Sequence, residues 1–194
     1  MSIHLARFRS SEAGFSLVET LIAVGLLGTV AVGVAQLFAL ATMSTGNAKL
    51  QSSATTLATQ KMEQLRGLTW GFDTAGLGLP LSDTTTNLAT EPATSTGGGL
   101  NPSPAGSLDT SVAGYVDYLD SHGTWVGTGA APPAGAVYVR RWSIVPLPTN
   151  PNNTLVLQVL VTSVARDAAR DTTQPRRRMP GDAWLVSVKT RKAS

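Results

Sequence analysis

The chain has no cysteine, which excludes thiol nucleophiles, disulfide staples and cysteine-ligated zinc and leaves the redox compartment open. Histidine is nearly as scarce, so His4 and His122 are the two imidazoles available as bases. The phosphate-binding glycine loop, the zinc-binding His-Glu-x-x-His helix and the Gly-x-Ser-x-Gly nucleophile turn are all missing, and neither catalytic residues, a cofactor nor a resident metal is expected. Charge is sparse as well. Charged residues make up 14% of the 194, against about 25% in an ordinary soluble domain. The net charge of +3 is too small to argue for a nucleic-acid partner, but its distribution is uneven. Residues 67–139 hold six acidic and no basic side chains, whereas residues 140–194 hold ten basic and three acidic ones.

The charge deficit is concentrated near the N-terminus, where no charged side chain occurs from Thr20 to Ala48. Within it, Leu21 to Ala41 supplies 21 mostly apolar residues, enough for a helix to cross about 30 Å of hydrocarbon. Three explanations compete. A secretory signal would have a shorter apolar run, although Ala39-Leu40-Ala41 offers a small-residue cleavage pattern. A plain membrane anchor explains the length but gives no use for Glu19 at the lip of the run, where a carboxylate is costly. The third takes Gly14-Phe15-Ser16-Leu17-Val18-Glu19 as one unit behind a short leader carrying Arg7 and Arg9, whose positive charge favours a cytoplasmic N-terminus.

That hexapeptide resembles the class III signal of type IV prepilins. The resemblance implies that residues 1–14 form a leader ending at Gly14, that a prepilin peptidase exposes and methylates Phe15, and that Glu19 is the fifth mature residue. It further implies a single-pass inner-membrane protein with its C-terminal domain in the periplasm, which then enters a pilus or pseudopilus. The expected partners are other pilins or pseudopilins, met through the N-terminal helix, and the inner-membrane assembly platform. Electrostatics makes a parallel demand, because a carboxylate at the membrane lip gains most from a desolvated cation such as the Phe15 amine of a neighbouring chain. The bland alternative leaves Glu19 among headgroups, favoured by the helix dipole.

One helix is predicted over residues 15–66, membrane-spanning over about 21–41. Gly25, Thr29 and Gly33 recur every four residues and could form a small-residue packing face. Many major pilins carry proline at the twenty-second mature position; here it is Gln36, which suits a minor pilin or pseudopilin. Beyond the membrane, Leu50, Ala54, Leu57, Ala58 and Leu65 share a face opposite Ser52, Thr55, Thr56, Thr59 and Glu63. Lys61 falls in that apolar stripe and is expected to snorkel out, with Gly67 closing the helix.

Residues 67–111 are rich in Gly, Thr, Ser and Pro and are predicted to be loops of little packing power. In the C-terminal domain, residues 112–194, strands are predicted over about 115–119, 136–145, 154–164 and 183–190, the middle two joined by a turn-rich connector over 146–153. In the last, Trp184, Val186 and Val188 alternate with Leu185, Ser187 and Lys189, so the Trp/Val side is expected to face inward under the stripe Leu50–Leu65. The fold class is α+β: one long N-terminal helix packed on an antiparallel sheet, similar to the pilin fold. Gln60 to Arg66 look most like PilV-type minor pilins and the I-type minor pseudopilins of type II secretion. Which machine is served, whether for motility, adhesion, DNA uptake or secretion, stays open, as does a membrane-anchored periplasmic binding protein that does not assemble.

Two further clusters stand out. Asp117, Asp120 and His122 lie close in sequence but lack the spacing of a calcium loop and are expected to be solvated. Arg166, Arg170, Arg176, Arg177 and Arg178 form a basic run with Asp167 and Asp171 as local partners. It is expected to be a solvated loop, with another subunit's acidic surface or DNA as candidate ligands.

Overall fold

The computed structural model describes residues 16–73, 75, 77–170 and 179–191. The chain forms two compact units, Met1–Thr45 and Gly46–Ser194. A single helix, α1 (Leu17–Gly67), carries the described part of the first and opens the second. In the second unit it is followed by β1 (Trp70–Phe72), β2 (Pro80–Ser82), β3 (Val116–Leu119), β4 (Trp125–Gly127), β5 (Tyr138–Pro146), β6 (Thr154–Ser163), the short helix α2 (Val164–Ala168) and β7 (Ala183–Thr190). The architecture is α+β, a long N-terminal helix followed by an antiparallel sheet.

The main sheet has five antiparallel strands in the order β4-β3-β5-β6-β7. Its centre is the β5–β6 hairpin, in register from Tyr138 opposite Ser163 to Pro146 opposite Leu155. The connector turns back through the Asn150 N–H on the Leu147 carbonyl at 2.9 Å and the Thr154 N–H on the Asn150 carbonyl at 3.0 Å. Alternation in β6 sets the two faces. Leu155, Leu157, Val159 and Val161 enter the core with Ala54, Leu57, Ala58, Met62 and Leu65 of α1. The stripe read from the sequence is therefore the buried one, while Ser52, Thr55, Thr56, Thr59 and Glu63 are exposed. Val116, Tyr118 and Val139 form a smaller cluster on the far face.

Two expectations are corrected, and one strand is new. In β7 the inward side is Ala183, Leu185, Ser187 and Lys189, whereas Trp184, Val186 and Val188 are 40%, 57% and 58% exposed. Pairing decides this: Trp184, Val186 and Val188 lie opposite Leu160, Gln158 and Val156, which β6 turns away from the helix because its other side is the more apolar. The inward Lys189 is put to use, its ammonium donating to the Leu68 carbonyl at 2.7 Å and to the Arg66 carbonyl. The acceptors lie in the last turn of α1 and one residue past its end, where carbonyls lack intrahelical donors.

The interval 67–111 is not inert either. It contains the β1–β2 ladder and an Asn87–Thr94 bridge, and Leu88, Ala89 and Leu100 are buried in the main core. The carbonyl of Ala89 accepts from Trp125 Nε1 at 2.9 Å. Finally, β4 was not foreseen, since three residues carry too short a pattern to read.

Candidate functional site

Gly14 and Phe15 lie outside the described residues. Directly after them, the N–H of Glu19 donates to Ser16 Oγ at 3.2 Å and the N–H of Thr20 to the Ser16 carbonyl at 3.2 Å. Ser16 thus caps α1, and Ser16-Leu17-Val18-Glu19 follows the Ser-x-x-Glu capping pattern. The signal is local and present in the sequence itself. The cap starts the helix at Leu17 and holds Glu19 in its first turn, where a carboxylate is favoured.

Every residue from Ser16 to Gly46 is exposed, in a helix long and apolar enough to cross a membrane. Nothing lies within 4 Å of a Cβ built on Gly25 or Gly33, and Thr29 returns its hydroxyl to the Leu26 carbonyl at 2.8 Å. The small residues therefore keep an open face with no unsatisfied hydroxyl.

The other half of α1 is fastened by charge. Lys61 does not snorkel; it is 1% exposed. Its ammonium lies 2.8 Å from Asp117 Oδ2, donates to the Leu88 carbonyl at 2.7 Å and sits 4.6 Å from the centre of a Trp142 ring. Arg140 grips the same carboxylate with two bonds, Nε to Oδ1 at 2.9 Å and Nη2 to Oδ2 at 2.8 Å. Its Nη1 donates to the Leu57 carbonyl of α1 at 3.1 Å. One buried carboxylate on β3 thus joins a cation of α1 to a cation of β5. Burial pushes the Lys61 pKa down to about 8; Asp117 opposes the shift and Arg140 adds to it. No single-residue pattern foretold this, because Asp117, Lys61 and Arg140 are far apart in sequence.

Asp117 is therefore no part of a solvated loop. Asp120 is, accepting from the His122 and Thr124 N–H groups at 2.8 and 2.9 Å. The turn closes at Gly123, whose φ of +83° suits glycine and where an added Cβ would meet Leu57 at 2.8 Å. Among the described residues no group of three or more His, Asp or Glu side chains is placed to hold a metal.

The arginine run is also divided. Arg166 donates to Asn47 Oδ1 of α1 at 2.6 Å and to the Pro180 carbonyl, while Arg170 donates to Asp182 Oδ2 at 2.5 Å. Asp167, expected beside them, pairs chiefly with Arg141 at 2.6 Å. Arg166 and Arg170 are structural ties, not members of a free patch; Arg176, Arg177 and Arg178 lie outside the described residues.

Compared with known families, residues 9–35 match the model of the prokaryotic N-terminal methylation motif. The matched span holds the Gly14-Phe15 junction, the Ser16 cap, Glu19 and the first turns of the exposed helix, and it supports a type IV prepilin-like protein. The motif and the apolar helix fit a single-pass membrane anchor and point to a structural protein rather than an enzyme. Comparisons with curated proteins and with solved structures found no match.

Proposed function

We propose that this chain is a minor type IV pilin or pseudopilin. It is inserted in the inner membrane with its N-terminus cytoplasmic, cleaved after Gly14, N-methylated at Phe15, and incorporated into a pilus or pseudopilus or used to prime one. The carrying observation is the pairing of the methylation motif with an apolar half-helix, residues 16–46, that has no buried residue. A helix apolar all round finds cover in lipid or among other helices. The face of Gly25, Thr29 and Gly33 lets a neighbouring helix approach. Glu19 receives the Phe15 amine of the adjacent chain, a pair strong only where water is excluded.

The test follows mature mass, membrane level and yield in sheared filaments for the wild-type chain and Glu19→Gln. A mature chain starting at methylated Phe15 is expected. The variant should be processed and inserted normally, since a neutral amide enters hydrocarbon more readily than a carboxylate, yet be depleted from filaments. A wild-type N-terminus at Met1 or Thr42 would overturn the reading in favour of a plain anchor or a cleaved secretory protein. Normal incorporation of Glu19→Gln would remove Glu19 from assembly.

A further inference from the structure

Among the described residues, Arg191 is the arginine whose guanidinium has neither a carboxylate nor a carbonyl partner. Arg66, Arg140, Arg141 and Arg170 pair with acids, and Arg166 with a carbonyl and an amide oxygen. Arg191 is instead fixed by its surroundings. Its backbone N–H donates to the Asn153 carbonyl at 2.9 Å, and its guanidinium stacks 4.2 Å from the centre of a Trp70 ring and 5.3 Å from that of Phe72. Such stacking holds the planar fork in place while leaving its in-plane donors unused.

Arg191 borders a recess of about 500 Å³, within the usual size range of small-ligand sites. Trp70, Pro80, Pro102, Pro146 and Pro151 supply its apolar walls, and no carboxylate of the described residues lines it. Proline has no N–H, so the four proline walls donate nothing. Ser82, Thr84, Asn101 and Asn152 supply its polar part, while Trp70 Nε1 and Arg191 Nε are buried behind it without an acceptor. A fixed cation with no acid partner among the described residues, beside proline walls, defines a complement: an anion that is planar and bidentate, on an apolar body. A sugar acid fits less well, because Arg191 occupies the aromatic face on which a sugar ring would stack.

We propose that this recess binds a short apolar peptide through its carboxylate, with Arg191 as the recognising cation. The site lies wholly within residues 46–194 and does not depend on the filament reading.

The full chain in detergent micelles would be titrated calorimetrically with N-acetyl-alanyl-proline, with its C-terminal amide and with glucuronate. The free acid should bind saturably, and the amide roughly tenfold or more weakly, as expected for loss of a charged hydrogen bond. Arg191→Met keeps apolar bulk over Trp70, while Arg191→Lys keeps the charge but not the fork. Both should retain the wild-type unfolding midpoint and lose most of the affinity for the acid. Equal binding of acid and amide, undiminished binding by both variants, tighter binding of glucuronate than of the peptide acid, or no saturable binding of the acid would overturn the proposal.

Discussion

The two halves of α1 are one secondary-structure element with opposite relations to water. Residues 17–45 are nearly all apolar or small, carry a single charge at Glu19, and are exposed throughout. Residues 46–67 are more polar, yet there Ala54, Leu57, Ala58, Lys61, Met62 and Leu65 are buried. Apolar content alone thus fails to say which half packs on the protein's own core. A helix apolar on every side exceeds what one sheet face can cover, whereas a single stripe matches it. The packed half also spends one of its charges inside. Lys61 is buried because Asp117 and the Leu88 carbonyl accept from it there, and an unpaired ammonium could not stay.

Truncation should separate the two halves of α1 most strongly. A chain starting at Gly46 should be soluble and cooperatively folded, since the second unit contains the whole sheet and the buried stripe. A chain starting at Leu68 should aggregate, having lost the helix side of its core. Similar behaviour of both in gel filtration and thermal melts would refute the packing assigned to residues 50–65.

Next in size is the seam. Asp117→Asn removes the shared anion and leaves Arg140 and Lys61 buried together. Unfolding in urea should show a loss of about 3–5 kcal/mol, with N-terminal processing unaffected. A loss below about 1 kcal/mol would place these charges in contact with water.

A smaller effect is expected from pH. The folded chain holds Lys61 at about 8, below its ordinary 10.5, so it sheds this proton before the unfolded chain does. The unfolded state then binds more protons, and stability should rise as pH climbs from about 8 towards 10. Lys189, also lowered by burial, acts in the same sense, and Tyr115, raised by burial, opposes it as tyrosine ionisation sets in. The difference between wild type and Lys61→Met isolates Lys61: the variant should have the shallower rise. It should also fold, since Arg140 still neutralises Asp117. Equal slopes would contradict a desolvated Lys61.

The least effect is expected on the outer face of the sheet. Val186→Ser should change stability by no more than about 0.5 kcal/mol, as for other exposed positions. A loss of several times that amount would restore the opposite orientation of β7.

Much of this was legible in the sequence for a physical reason: local patterns reflect local causes. The charge-free run, the unbroken helix, the stripe from Leu50 to Leu65 and the ends of β6 and β7 each follow from spacing along a few turns or residues. So does Ser16-Leu17-Val18-Glu19, whose cap is settled within one turn. Tertiary structure decided what depends on a partner distant in the chain. Which side of β7 faces the helix was set by its register with β6, because the more apolar side of β6 takes the core and β7 must pair with it. The fate of Lys61 was set by Asp117 and Leu88, because a lysine in an apolar stripe is exposed or buried according to what waits at its tip. Arg166 and Arg170 left the apparent basic patch for Asn47 and Asp182, and Arg191 came to rest on Trp70, because spacing in sequence says nothing about which group the fold brings opposite a guanidinium.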